Sequence, residues 1–190
     1  ADAEKIPYLL KNLGFAGVSE TAIGAELVSA AIPSVLAKGR VNITSACPVV
    51  VEIIGKYYPR LTERITPLLS PALAHAKELK RRFGADTEVV FFGPCIAKKK
   101  EADSHPGLIS LALSFRDLRE MAAKSGGRVI EDGDSPFITE RSGAGNLYPV
   151  EGGLLHTLRE RCSIIEDDYV SVSGLGESMM ALDSVEALEN

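Results

Sequence analysis

The sequence has no tryptophan, only three cysteines and no long apolar run. A membrane span needs ~18 consecutive apolar residues, and no stretch reaches that length. The first residues carry no signal-peptide pattern, so we expect a cytoplasmic protein with no membrane contact. The cysteines form neither a CxxC nor a CxxH pair, which excludes a self-contained zinc finger and a disulfide framework. Their odd number and wide spacing favour reduced thiols.

An excess of positive charge is also missing, because 21 basic residues face 26 acidic ones and the net charge is −5. We therefore expect no nucleic-acid surface. The basic run 77–82 is typical of a solvent-facing helix end, where cations interact favourably with the helix dipole. The chain of 190 residues, 45% of them hydrophobic, is long enough for one large domain or two small lobes.

Short apolar runs alternate with helical patterns along the chain. The predicted strands are 15–18, 41–44, 87–92, 107–113 and 168–172. The predicted helices are 3–13, 21–38 with a break or restart at Pro33, a helix capped by Ser45, then 71–83 after Ser70, 115–124 after Ser114, 149–161 and 176–189. This alternation predicts an α/β fold with mostly parallel sheets flanked by helices.

Two cysteine-containing segments carry the chemistry. They are TSACP at 44–48, with Cys47, and GPCIAKKKE at 93–101, with Cys95. Each cysteine directly follows a predicted strand, and α/β folds bind ligands beyond the carboxyl ends of their strands. Both cysteines could therefore face one pocket. Thiolates at such positions suit an iron–sulfur cluster or zinc, and an anionic cluster is favoured where Cys47 stands at the start of a helix.

These two motifs resemble those of a known family, the C-terminal domain of the iron-only ([FeFe]) hydrogenase large subunit. That family reads TSCCP and then MPCxxKxxE. Further matching segments follow in the family's order: KNLGF at 11–15, KYYP at 56–59, Ser70-Pro71, SGAG at 142–145 and Gly152-Gly153. The resemblance covers roughly residues 5–160. It implies a two-lobed, iron-only hydrogenase-like fold whose lobes meet at a cluster pocket. We expect residues 1–190 to form one such domain, as a piece of a longer chain.

The resemblance also implies roles for individual residues. Cys47 and Cys95 match ligands of a [4Fe–4S] cluster, and Lys98 matches a lysine that holds a cyanide ligand of a diiron subsite. Ser45 and Pro94 would line the same cofactor. The alternatives are a packed structural role for each thiol and a solvent-facing role for Lys98. A glutamate, Glu101, completes the second motif, and its plainer role is to pair with a nearby lysine.

The departures from the family pattern concern proton transfer. Ala46 stands where hydrogenases carry the first cysteine of TSCCP, which relays protons, and a methyl group can neither donate nor accept one. Gly93 replaces the methionine of MPC, and Ala72 replaces a glutamine that often follows Ser-Pro. The segment 30–36 holds no carboxylate, whereas family enzymes place relay glutamates there. A relay needs groups within hydrogen-bond reach of each other, so we expect an impaired one.

The third family motif, CxxGC, is absent from the sequence. Cys162 matches no family ligand and is expected to be a packed or partly exposed helix cysteine. Two of four ligands cannot hold a cubane cluster robustly, so we expect no intact cluster in this piece and no activity from it alone. The glycines near 143–153 fit neither phosphate-loop pattern, and they indicate close backbone packing. The histidines, His75, His105 and His156, are predicted to be structural or on the surface.

These observations predict an iron–sulfur protein with a redox-sensing, hydrogen-sensing or electron-transfer role. Its full-length form would carry the [4Fe–4S] cluster, with a diiron subsite left open. The resemblance implies a ferredoxin-like domain, and a PAS or kinase-type signalling domain, in the same chain. One alternative is an active [FeFe] hydrogenase that interconverts protons and H₂. A further alternative is an iron–sulfur assembly factor.

Overall fold

The computed structural model describes residues 3–36, 39–126, 135–159 and 169–188. The helices are α1 (Ile6–Asn12), α2 (Ala22–Val35), α3 (Pro48–Tyr57), α4 (Pro71–Phe83), α5 (Ala97–Ser104), α6 (Phe115–Lys124), α7 (Gly153–Arg159) and α8 (Leu175–Leu188). The strands are β1 (Val90–Phe92) and β2 (Leu111–Leu113), and single 3₁₀ turns lie at Ala3–Lys5, Pro59–Arg64 and Ala144–Leu147. Within these ranges no helix is long and apolar enough to cross a membrane.

The strands pair in parallel, as the alternating pattern predicts. β1 and β2 align Val90 with Leu111 and Phe92 with Leu113, and α5 connects them. Two further parallel contacts are single bridges, Val18 with Phe137 and Ile43 with Ile65. The α/β prediction is therefore confirmed, with a small parallel sheet and many helices.

Several predicted strands are shorter in the structure or absent. Segments 15–18 and 41–44 contribute one bridge each. In the second segment, Asn42 Nδ2 donates to the Arg40 carbonyl and Thr44 Oγ1 accepts from the Ala46 amide, and such side-chain bonds compete with a ladder. Of the predicted strand 168–172, the described residues 169–172 form no strand. Its valines are exposed, so they lack a sheet face to pack on.

The helix boundaries follow local capping signals in most places. Ser70 caps α4 by accepting from the Leu73 amide, and Ser114 forms a capping box with Asp117 at the start of α6. Both caps are confirmed. Two predictions were wrong. Pro33 does not break or restart α2, which runs through it and ends two residues later at Val35. Ser45 does not cap α3, whose N-cap residue is Cys47.

Three clusters of buried apolar side chains form the core. The first lies under α4, α5 and β2 and consists of Ala72, Leu73, Ala76, Ala102, Ile109 and Ala112. The second joins α3, the following 3₁₀ turn and α8 through Ile54, Tyr58, Leu61 and Leu182. The third packs α2 on α7 through Val28, Ile32 and Leu158. Burial of these apolar surfaces provides most of the driving force for folding. The first two clusters seat the helices that follow Cys47 and Cys95.

Candidate cofactor site

The first cysteine lies at the start of a helix. Cys47 is the N-cap residue of α3, its side chain makes no capping bond, and Pro48 occupies the first helical position. The thiol is free and the residue is exposed. A structural cysteine is normally packed among apolar side chains, so exposure does not favour that alternative. Cys47 is available as a ligand.

Neutral hydrogen bonds hold the loop that carries Cys47. The Ser45 amide donates to Thr66 Oγ1 over 3.1 Å, and Ser45 Oγ donates to the Leu68 carbonyl over 2.8 Å. The single bridge between Ile43 and Ile65 lies directly before these bonds. The amide and the hydroxyl of Ser45 are therefore both bonded to segment 66–68, so the hydroxyl does not cap α3. Thr66 is buried, and no local pattern marked it as part of this site.

The second cysteine follows β1. Cys95 is also free and exposed, and its carbonyl accepts from the Lys98 amide in the first turn leading into α5. Gly93 is held by a bond from its amide to the Leu113 carbonyl. A Cβ at Gly93 would lie 2.6 Å from Cζ of Phe91. The Phe91 ring thus occupies the space next to this glycine, and a side chain at position 93 would require the ring to move.

Lys98 is enclosed rather than exposed. Its Nζ lies 2.6 Å from Oε2 of Glu101 and 3.0 Å from Oγ of Ser70. The side chains of Lys98 and Glu101 are only 12% and 9% exposed. A solvent-facing role for Lys98 is therefore wrong, and the plain expectation that Glu101 pairs with a lysine is confirmed.

The other two lysines of the run have different partners. Lys99 pairs with Asp117 over 2.8 Å, and Lys100 pairs with Glu52 over 2.7 Å. A hydrogen bond from Lys99, together with bonds from Ser114, lowers the pKa of Asp117 well below its ordinary value. These pairs tie α5 to α6 and to α3, so the three consecutive lysines serve three separate contacts.

The Cys47 loop and the helix that follows Cys95 both contact one short segment, residues 66–70. Ser45 bonds to Thr66 and Leu68 from the loop, and Lys98 bonds to Ser70 from the helix. Two thiols match the chemistry of thiolate cluster ligands, as half of a four-cysteine set. No cluster of three or more His, Cys, Asp or Glu side chains suited to a metal ion is found among the described residues.

The glycine-rich segment after residue 141 packs on α2. Glu26 Oε1 accepts from the amides of Gly143 and Gly145 over 2.6 and 3.1 Å. A Cβ at Gly145 would lie 2.1 Å from the Ala22 carbonyl oxygen. Only glycine allows this approach, which agrees with the predicted close backbone packing.

A second carboxylate holds the start of the same segment. Glu20 accepts from the amide and hydroxyl of Ser142 over 2.7 and 2.9 Å and pairs with Arg141. Burial raises the pKa of Glu20, but the bonds from Arg141 and Ser142 outweigh it and leave the pKa below its ordinary value. Glu20 is therefore an anchor for this loop.

His75 occupies the interior of the protein, away from the cysteines. Its Nε2 lies 2.7 Å from Oγ of Ser19, which in turn lies 2.8 Å from Oγ1 of Thr139. Burial, with a smaller effect of Arg82, lowers the pKa of His75 to about 4. His75 and Ser19 line a cavity of about 900 Å³ between α1, α4 and β1, and neither Cys47 nor Cys95 is part of its lining. The predicted structural role of His75 fits this environment.

Comparison with known proteins decides the family. The model of one family, the C-terminal domain of the iron only hydrogenase large subunit, matches residues 1–186. The chain belongs to this family. The matched range of this iron-only hydrogenase domain includes Cys47, Cys95 and Lys98.

Solved structures agree with the family at the level of the fold. A variant of the [FeFe]-hydrogenase HydA1 from Chlamydomonas reinhardtii superposes with a TM-score of 0.67 at 23% identity, over 91% of this chain and 49% of that one. An apo form of another HydA1 variant gives a TM-score of 0.63 at 23% identity, over 91% and 50%. The iron-only hydrogenase-like fold is confirmed, and this chain spans about half the length of these hydrogenases.

Residues 160–168 lie outside the described ranges, and with them Cys162.

The sequence identified the two cysteine loops and Lys98 but not two of their neighbours. Thr66 carries no motif, and Ser70 is marked only as a helix cap. Both are brought to the site by contacts that span 21 to 28 residues along the chain.

Proposed function

We propose that this domain supplies Cys47 and Cys95 to a [4Fe–4S] cluster in a longer iron–sulfur protein. That protein senses redox state or hydrogen, or transfers electrons, with an impaired proton relay. The observation that carries the proposal is a pair of exposed, free thiols, of which one lies on a loop bonded to segment 66–70 and the other directly precedes a helix bonded to the same segment. Membership in the iron-only hydrogenase family supports it.

The chemistry of the site is compatible with this role. Thiolates are the usual ligands of a cubane cluster, which supplies one-electron transfer when bound. Two further cysteines would come from elsewhere in the longer protein. Ser45, Pro94 and Lys98 would lie around the cluster and any diiron subsite. A ferredoxin-like domain and a PAS or kinase-type domain in the same cytoplasmic chain are the partners that this role implies.

The impaired relay rests on proton-carrying groups that the sequence lacks. Ala46 presents a methyl group beside Cys47, and segment 30–36 of α2 and its C-terminal end has no carboxylate. Glu26 is the nearest carboxylate along α2, and it is already bonded to the amides of Gly143 and Gly145. Proton transfer needs a continuous chain of donors and acceptors, so slow or absent turnover follows.

An active hydrogenase is the second candidate, and Lys98 favours it. An enclosed lysine beside the Cys95 loop is unnecessary for a cubane cluster held by thiolates alone. It would suit a site that also holds an anionic ligand such as cyanide, because an ammonium group donates strong charge-assisted hydrogen bonds. The two candidates differ in proton supply and share the same cysteine ligands.

The full-length gene product, co-expressed without oxygen with the hydrogenase maturation enzymes, tests both candidates. We expect bound iron and sulfide, lost in Cys47→Ser and in Cys95→Ser and kept in the matched control Cys162→Ser. Infrared bands of iron-bound CO and CN⁻ would support hydrogen sensing or turnover, and a cluster without bands would support electron transfer alone. A wild-type protein that binds no iron would overturn the proposal.

The relay is tested by restoring the missing thiol. In protein that shows the infrared bands, Ala46→Cys should raise H₂ turnover by about 10²–10⁴-fold, the usual contribution of a well-placed proton-transfer group. Ala46→Ser is the matched control of similar size, with a far less acidic group. Equal turnover in the wild type and Ala46→Cys would show that the missing thiol is not what limits turnover.

A further inference from the structure

The ammonium group of Lys98 has a defined set of partners. An ammonium carries three N–H donors. Glu101 Oε2 accepts one over 2.6 Å, and Ser70 Oγ accepts another over 3.0 Å. These are its acceptors among the residues that the structure describes, so one donor is left over. The ammonium is thus held at two points and has a single N–H for anything else.

Helix stability does not explain why a lysine is held here. Lys98 is the second residue of α5, and its ammonium bonds to the N-cap residue of α4. Both helix N-termini carry partial positive charge, which disfavours a cation. The pair with Glu101 also has the less favourable order, with the lysine preceding the glutamate along the helix.

Ser70 links this lysine to a different helix. Its hydroxyl oxygen accepts from the Leu73 amide, which caps α4, and also from Lys98. Ser70 is buried, and two residues earlier the Leu68 carbonyl accepts from Ser45 of the Cys47 loop. The serine therefore does more than begin a helix: its hydroxyl also bonds to the Lys98 ammonium, and it belongs to the segment that the Cys47 loop contacts.

We propose that Ser70 is a positioning residue that, with Glu101, fixes the Lys98 ammonium so that its third N–H serves an anionic group bound at the Cys47 and Cys95 loops. The positioning by Ser70 stands on the contacts of this chain alone. The donation of a hydrogen bond from Lys98 to a bound anionic group rests on the proposed function. A cap-only role for Ser70 would leave Lys98 unaffected by its removal.

Lysine labelling of the full-length protein tests the positioning. Site-resolved acetylation by acetic anhydride, followed by mass spectrometry, should modify Lys98 more slowly than Lys100. Ser70→Ala should raise the Lys98 rate at least about tenfold, the low end for a hydrogen bond to a charged group, and Ser70→Thr should restore the slow rate. Ser114→Ala is the matched control, since Ser114 also caps a helix and, among the described residues, its hydroxyl bonds to Asp117 and to no lysine.

The outcomes separate the two parts of the proposal. An unchanged Lys98 rate in Ser70→Ala, or an equal rise in Ser114→Ala, would overturn the positioning role. Co-expression with the maturation enzymes, which supplies cyanide together with the cluster, should further slow the labelling of Lys98 in the wild type and much less in Ser70→Ala. A protein that holds a cluster and leaves Lys98 unprotected, with or without the infrared bands of cyanide, would overturn the donation from Lys98 to the bound group. A wild-type protein that takes up no iron would instead defeat the proposed function, and the labelling rates would still decide the role of Ser70.

Discussion

Each cysteine lies just before a helix, but different interactions hold the two helices in place. Cys47 precedes a helix seated on large aliphatic side chains, with Ile54 and Leu61 fully buried, and its loop is held by the neutral hydroxyl of Ser45. Cys95 precedes a helix that packs through Ala102 against a core cluster rich in alanine. This helix also carries an enclosed ion pair. The first loop thus depends on apolar volume and the second on charge balance and close approach.

Removing volume under the first loop should have the largest effect. Leu61→Ala deletes a side chain with no exposed surface and should cost about 4 kcal/mol of unfolding free energy, from lost burial and the remaining cavity. Urea unfolding of the full-length protein measures this. Leu27→Ala, at an exposed position of α2, is the control and should change little. A cost below about 2 kcal/mol for Leu61→Ala, the low end for such a change, would mean that the first loop does not depend on apolar volume.

Removing charge under the second loop should cost nearly as much. Glu101→Gln leaves the Lys98 ammonium enclosed without its counter-ion, which should cost about 3 kcal/mol. The exposed pair of Glu52 and Lys100 is the matched control, and Glu52→Gln should cost under about 1 kcal/mol. The double variant Lys98→Met with Glu101→Leu should recover most of the loss. If both single variants cost the same, enclosure does not distinguish the two ion pairs.

Stability should depend on pH through α4, the helix that follows segment 66–70. His75 on α4 has a pKa of about 4 in the folded protein, lowered by burial from its ordinary value of 6.5. Between these values the unfolded chain binds a proton that the folded protein does not, so this contribution to stability is complete above pH 6.5 and falls as the pH drops. The loss should reach about 3 kcal/mol near pH 4.

Comparing His75→Gln with the wild type isolates this contribution. Urea unfolding at several pH values between 6.5 and 4 should give a smaller dependence of stability on pH for the variant, whatever its stability at neutral pH. Parallel pH dependences would show that His75 is protonated equally in both states.

Adding volume under the second loop should have the smallest effect of the four. Ala102→Leu inserts a larger side chain among the buried alanines of α4 and β2 and should cost about 2 kcal/mol through overpacking. Ala123→Leu on an exposed position of α6 controls for the change in helix propensity. Thermal unfolding measures the Tm of both variants, and an equal shift would show that the space around Ala102 accommodates a leucine without strain.

Local patterns predicted much of this fold. Ser70 and Ser114 begin helices because their hydroxyls can accept from free amides at the helix start, and Gly84 ends α4 with a positive φ of 108°. The pattern failed at α5, where AKKKEADS has no apolar period and buries only Ala102. That helix is held by ion pairs to Glu52 and Asp117, and ion pairs across the chain leave no periodic signal.

The sequence alone determined the family, the parallel α/β class, the places of Cys47 and Cys95 after short apolar runs, and the loss of a thiol at position 46. Each of these depends on residues that are neighbours along the chain or on a motif with fixed spacing. Only the tertiary structure decided that Lys98 is enclosed and that Ser70 holds it. The reason is physical: hydrogen bonds across 21 to 28 residues depend on how separate helices pack, and no local propensity specifies that packing.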